Sequence, residues 1–535
     1  MCRWFDSAPG HQCSCALAPF WVLGRFYKMG HGSTKNHQVV SLLMRFERSS
    51  GVSEMKFGLD IYAACGLSEN PFGVHALRPD ERGVRLLVGR DTELELVAQK
   101  LHKHGKITCL DGHVGVGKTS LVNVAAFLCY KAFLAGETTQ LLLPVNDAFQ
   151  MGKDEDANAF CAVVFRRVAQ TLLKHREDLQ ALGQMPGAAG RLDAWLNSPI
   201  VEHLNGARGI GGTIGISGVV SASGTVGGSS NNQINTSAGF TEQGFEQLVK
   251  QWLNQIFAVE GNGGVVCVID NLELLESGVQ ARRTLEALRD RLFNVNGLRW
   301  VFCGANGVIH SLAASHRLGS FLNTPILDVA HVKPTTLEPL LHARLHEFAM
   351  GDESEIEDRL PIRMADVRTL YQIVNFNLRD VLALADEYCE HLHSIGAKPA
   401  TDADKQKRFV KWLDGATIQR YERLSSRLPA DAWIILDLVM SDEFRGTFGI
   451  GDFNSLNQNS KVSISRNTFE KRIKDLLKNQ LISKTLDEDV RPADDGFKRD
   501  VFNVTAKGAL VHYARLVKQE NQGIKPLTWL KRVHA

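Results

Sequence analysis

A three-layer α/β fold with a mostly parallel sheet is the architecture this 535-residue sequence predicts, and three observations predict it. Short apolar runs alternate with longer stretches of helical period. One run, at 106–110, leads into Gly112-x-x-x-x-Gly117-Lys118-Thr119 and then an apolar helix beginning Ser120-Leu-Val. Another, Gly264-Val-Val-Cys-Val-Ile-Asp270, reads as a buried strand ending in a carboxylate.

Size and composition bound the rest. The length predicts two to four domains. A net charge of +2 gives no global attraction to polyanions, so any nucleic-acid surface must be local. Ten cysteines form no CxxC pair, which argues against a zinc or disulfide framework and for a reducing, cytoplasmic setting. No apolar run reaches the roughly 20 residues a membrane helix needs, so no membrane anchor is expected. Residues 1–54 hold Trp4, Cys13, Cys15 and Trp21 but no lasting period and no signal-peptide order. They read as a poorly ordered or mis-annotated extension, with Met29, Met44 and Met55 as alternative starts.

Residues 55–330 read as the core. Leu87-Val-Gly-Arg-Asp-Thr-Glu-Leu94 opens a helix to Lys103, and the glycine loop follows. Then come a helix to about Ala135, a strand at 141–146, and a helix at 156–182. A glycine- and serine-rich insertion at 206–240 reads either as a linker or as a hairpin. After it the pattern predicts a helix at 241–259, the strand ending at Asp270, a helix at 278–294 and a strand at 298–304. Residues 331–400 are helical, and 401–428 form a charged helical connector.

The loop spacing dictates its chemistry. Gly112, Gly115 and Gly117 let the backbone N–H groups of His113, Val114, Val116 and their neighbours turn around a phosphate at a helix N-terminus. Lys118 reaches the β- and γ-phosphates, Ser120 opens the helix, and the Thr119 hydroxyl joins a Mg²⁺ shell. Asp270, at the carboxyl end of its strand, suits the same metal. Glu273 reads either as the base that activates water or as a charge near a helix start. Asn306 reads as a γ-phosphate sensor or a cap. Arg379, in the first turn after Asn377, reads as a cation that swings onto the γ-phosphate or as a surface arginine. Arg317 suits an arginine finger for a neighbouring copy, and hence a nucleotide-dependent homo-oligomer.

Residues 429–520 read as a separate domain, followed by a tail at 521–535. A helix after Pro429, a second helix capped by Ser465, two strands and a closing helix resemble a winged helix-turn-helix. Between Lys461 and Gln480 six basic residues (Lys461, Arg466, Lys471, Arg472, Lys474, Lys478) face two acidic ones, which suits DNA phosphates. The acidic stretch Asp487–Asp495 argues against deep minor-groove insertion, and a protein-binding role stays open.

Together, Leu87–Leu94, the phosphate loop, the strand ending at Asp270, the strand leading to Asn306 and the helix around Arg379 resemble an AAA+ ATPase. The likeness is to the origin-recognition/initiator branch and its signal-transducing STAND relatives. The resemblance implies a P-loop NTPase core that binds ATP and Mg²⁺, with Arg90 beside the adenine, a helical lid at 331–400 and a C-terminal winged helix. Asn271 stands where many such ATPases carry glutamate, which implies slow hydrolysis. Two roles follow: a switch coupling nucleotide state to DNA in replication, mobile-element or defence settings, or a signalling ATPase whose winged helix binds proteins.

Overall fold

The computed structural model describes residues 61–152, 156–181, 242–259, 262–275, 278–313, 315–351, 353–397, 401–441, 443–459, 464–485 and 501–521. The expectations for 1–54, the 206–240 insertion, Lys461, the acidic stretch 487–495 and the tail beyond Asn521 lie outside them. The chain divides into two units, Met1–Leu59 and Asp60–Ala535, and every described residue belongs to the second.

The core is built on parallel strands. In chain order they are β1 (Thr108–Asp111), β2 (Leu141–Pro144), β3 (Phe149–Gln150), β4 (Gly263–Asp270), β5 (Leu298–Cys303) and β6 (Leu327–Asp328). The order across the sheet is β2-β4-β5-β1-β6, with β3 continuing the pairing along the far end of β4. Every pair is parallel; Val301 of β5 lies between Thr108 of β1 and Val268 of β4. Strands covered on both faces run apolar throughout, and β1, β2, β4 and β5 are buried at every position. β3 and β6 went unforeseen because two residues carry no period.

Helices cover both faces. One side holds α1 (Asp91–Leu101) and α2 (Lys118–Leu134), packed through Val97, Leu121 and Val122 onto Leu110, Val266 and Val301. The other side holds α3 (Ala157–Lys174), α4 (Glu242–Ile256) and α5 (Gly278–Leu288), packed through Phe165, Trp252 and Leu285 onto Cys267 and Phe302. The helix expected at 156–182 starts where Asp156 caps Ala159 N, breaks at His175 and resumes as a short helix, Arg176–Ala181. The one expected at 278–294 ends in a π-helical turn, Arg289–Phe293. A short helix, α6 (Val308–Ala313), follows β5.

A helical layer comes next: α7 (Pro334–Phe348), α8 (Met364–Ile373), α9 (Leu378–Ser394) and the connector α10 (Asp402–Ser425). The C-terminal part contains α11 (Ala430–Val439), β7 (Thr447–Gly449), α12 (Phe453–Asn459), α13 (Arg466–Lys478), β8 (Ile482–Thr485), β9 (Val501–Val504) and α14 (Ala506–Asn521). Its sheet is antiparallel, in the order β7-β9-β8, so the expected two-stranded hairpin gains a third strand. Gly446, at φ +84, turns the chain into β7.

The C-terminal part closes a core of its own and shares its last helix with the layer before it. α14 buries Ala509 and Val511 with Trp433, Phe469 and Phe502. Its other face buries Leu510, Tyr513, Leu516 and Val517 with Leu370, Tyr371 and Leu413 of the helical layer. One helix therefore serves two cores. No helix among the described residues is long and apolar enough to cross a membrane.

Candidate functional site

β1 and β4 both end in aspartate at the same carboxyl edge of the sheet, where open parallel sheets place ligands. Asp111 is buried and accepts from Gly112 N at 2.7 Å, Gly307 N at 3.4 Å and Ile309 N at 3.3 Å. It thereby ties the start of the glycine loop to the start of α6. No sequence signal marked it, because two of its three partners lie almost 200 positions away.

The loop needs its glycines. At Gly112, φ +152, a Cβ would stand 2.4 Å from Val329 O. At Gly115, φ +84, it would stand 2.6 Å from Asn377 Oδ1 and 2.9 Å from Arg379 Cβ. Such contacts exclude any side chain. Lys118 Nζ donates to the carbonyls of Gly112 and His113, 3.0 Å each, so the ammonium lies inside the curve of the loop. The Thr119 hydroxyl donates to Asp270 Oδ2 at 2.5 Å. A hydroxyl and a carboxylate 151 positions apart thus meet beside the loop. Hard oxygen donors of this kind suit Mg²⁺, which takes the rest of its shell from phosphate and water.

Asp270 Oδ1 accepts from Asn271 N at 2.8 Å, and Asn271 is left-handed at φ +57. This turn sends the chain into a 3₁₀ helix, Leu272–Leu275, that carries Glu273. Burial pushes the Glu273 carboxyl above its ordinary value, Asp270 adds to the rise, and Lys118 opposes it. Its Oε2 is buried without a hydrogen-bond partner among the described residues.

The cleft is lined by Val114, Gly115, Gly117, Lys118, Thr119 and Asp270 on the loop side. An extended segment, 73–76, and Arg344, Leu378, Arg379 and Leu382 of the helical layer close the other sides. Asn377 caps α9 through Asp380 N and donates to Val114 O at 3.1 Å, which brings Arg379 against the loop.

Several expected residues stand elsewhere. Arg90 does not line the cleft. It is buried and donates to Val116 O and Ala330 O while pairing with Glu93 at 2.8 Å, so it braces the loop from behind. Val116 packs into the apolar layer beneath the loop. Ser120 lines the cleft but spends its hydroxyl on Leu77 N. Asn306, at φ +56, lines a neighbouring cavity with His113, His331, Asn375, Gln480, Ser483, Thr505 and Lys507. In that cavity the C-terminal part comes up beside the loop. His113 and His331 stack there with centroids 4.6 Å apart, and burial draws the His331 imidazole down to about 4. Arg317 pairs with Asp290 on the same chain at 3.3 Å.

On α13, Phe469, Ile473 and Leu476 face inward. Lys471, Lys474 and Lys478 are exposed at spacings of three and four, and so share one face. Arg466 is exposed and lies 3.5 Å from Glu470. Arg472 departs from the expectation: it faces α11, binds Asp475 at 2.8 Å and stands 3.7 Å from Asp431. Its position one residue off the lysine face turns it inward.

No family model matches the sequence, and no curated protein does. Among solved structures, the chain is similar to the Aeropyrum pernix ORC2 protein in its ADPNP–ADP complexes. Identity is 11% over 85% of this chain and 99% of that one, with a TM-score of 0.39. The Aeropyrum pernix ORC1 protein in complex with DNA gives 12% over 81% and 94%, at 0.37. Cdc6p from Pyrobaculum aerophilum gives 12% over 86% and 100%, at 0.32. The functional reading rests on this chain's own residues.

Proposed function

We propose that this protein is an AAA+ type ATPase acting as a slow switch, in which ATP and Mg²⁺ occupy the cleft between the glycine loop and the helical lid. The observation that carries the reading is the meeting of Thr119 with Asp270 next to Lys118. Thr119 and Asp270 would hold Mg²⁺, which would supply positive charge against the phosphates. Lys118 would exchange its two loop carbonyls for phosphate oxygens, and Arg379 would follow from the lid. Glu273 is the proposed base: a carboxyl with a raised pKa and a free buried oxygen is a better proton acceptor at neutral pH. The three-residue offset from Asp270, around the Asn271 turn, supports slow rather than absent hydrolysis.

The C-terminal helix–strand–helix–helix–hairpin order supports a winged helix, with the Lys471, Lys474 and Lys478 face of α13 toward DNA. Because α14 is common to this part and the lid, lid movement would carry the lysine face with it. Gel shifts with and without ATP test the coupling; DNA affinity indifferent to nucleotide at low salt would sink it. A signalling ATPase with protein partners is the second reading. The inward-turned Arg472 favours it, since it leaves fewer cations for phosphate. Light scattering with ATP, then with ATP plus DNA, separates the two: the second reading predicts nucleotide-dependent assemblies that ignore DNA.

A further inference from the structure

One wall of the cleft carries a charge that no acid among the described residues balances. Arg344, on α7, is 9% exposed. Its Nη1 donates to the carbonyls of Pro71 at 2.9 Å and Gly73 at 2.8 Å, while its Nε is buried with no hydrogen-bond partner among the described residues. Burial alone draws the guanidinium down to about 10, and no carboxylate contributes. Buried arginines are almost always paired with an acid. An uncompensated one beside a cleft marks a place where a ligand brings the missing negative charge.

The segment Arg344 holds is itself part of the site. At its far end, Leu77 N donates to Ser120 Oγ at 3.0 Å, and Asn123 Nδ2 donates to Leu77 O at 2.8 Å. Residues 71–77 therefore form a strap, pinned to the lid helix at one end and to the phosphate-loop helix at the other. Between the pins, Val74, His75 and Ala76 line the cleft alongside Lys118 and Thr119. With Arg379, the lid side supplies two cations to a space whose lining includes the single carboxylate of Asp270.

We infer that Arg344 is a nucleotide-binding residue: its free edge donates to the phosphates of a bound nucleoside polyphosphate while its other edge holds the strap along the nucleoside. The inference rests on the nucleotide reading above and adds the residue that couples strap and ligand. Its order of events is direct. A nucleotide balances the arginine, the arginine tightens its hold on Pro71 and Gly73, and residues 74–76 become ordered.

Calorimetric titration of the full-length protein with ADP tests this, using Arg344→Met, Arg344→Lys and Lys118→Ala. Arg344→Met is expected to bind ADP at least about tenfold more weakly, since a hydrogen bond to a charged group is lost. Arg344→Lys keeps the charge and should recover part of the loss. Without nucleotide, the Arg344→Met midpoint of thermal unfolding should equal or exceed the wild type, because an uncompensated buried charge has been replaced by an apolar side chain. Hydrogen exchange at 74–76 should slow on adding ADP to the wild type and not to Arg344→Met. Wild-type ADP affinity in Arg344→Met, with binding lost in Lys118→Ala, overturns the inference and leaves the nucleotide reading intact. A lowered midpoint, with a binding loss that Arg344→Lys does not recover, makes the residue only a structural pin. A wild type that ignores ADP overturns both.

Discussion

The cleft and the α13 surface use charge in opposite ways. In and beside the cleft, Lys118, Glu273 and Arg344 are buried or nearly so and under-partnered among the described residues: an ammonium held by carbonyls, a carboxyl with a free oxygen, a guanidinium without an acid. On α13 the charges are either exposed, as Lys471, Lys474 and Lys478 are, or paired with acids of the same chain, as Arg472 is with Asp475 and Asp431. Burying an uncompensated charge costs several kcal/mol, so a fold keeps one only where something else offsets it. Exposed lysines cost almost nothing and signal far less. Charge density in a sequence window is thus the weaker guide, and partner shortage in a cleft the stronger one.

The largest expected effect breaks the cleft side of this contrast. Lys118→Ala should remove nucleotide binding even at millimolar ligand in a calorimetric titration, with the fold retained by circular dichroism. Next, Glu273→Gln should lower the hydrolysis rate on the order of 10²–10⁴-fold while binding persists. The pH behaviour follows from the raised Glu273 value. The base works only when deprotonated, so the wild-type rate should climb through an inflection above the ordinary glutamate range, and Glu273→Gln should lose that inflection. Stability has the reverse sign. The folded state favours protonated Glu273, so this contribution is present at low pH and is lost as pH rises through the folded pKa.

The α13 side gives smaller effects. Replacing Lys471, Lys474 and Lys478 by alanine should flatten the salt dependence of DNA affinity, with up to about 0.9 of log–log slope lost per phosphate contact. Arg472→Ala should leave that slope unchanged and lower the thermal midpoint instead, because its partners Asp431 and Asp475 lose their cation. An unchanged slope in the triple variant favours the protein-binding reading.

The smallest effect is an acid one. His512 is 2% exposed beside Asp437 and Arg515, and burial draws its imidazole down to about 3. The unfolded chain takes up a proton there below its ordinary value of about 6.5. Stability from this group is therefore lost as pH falls from that value toward 3. His512→Leu should shift the acid-unfolding midpoint to lower pH, and an unshifted midpoint would mean another group governs acid unfolding.

The sheet and the loop were legible because their signals are local. Apolar runs, helical period and the glycine spacing all lie within windows of about 20 residues, and β1, β4 and β5 appear where those windows put them. What the sequence leaves unread is long-range. Arg344 meets Pro71 from 273 positions away, and nothing near either residue announces it. Arg90 carries a motif that points to the nucleotide, yet its guanidinium reaches carbonyls behind the loop. Arg472 looks like one more cation of a basic helix until α11 packs against it. Asn306 follows its strand as expected, but the C-terminal residues that share its cavity, from Gln480 on, lie over 170 positions later. In each case the element was foreseeable and the side chain's partner was not.

Titration of the full-length protein with a non-hydrolysable ATP analogue in Mg²⁺ tests the central claim most directly, with Lys118→Ala and Asp270→Ala beside the wild type. A cleft built from Lys118, Thr119 and Asp270 predicts saturable one-site binding in the wild type, none in Lys118→Ala, and weakened, magnesium-insensitive binding in Asp270→Ala. Equal heats in all three proteins, or none in the wild type, would contradict it.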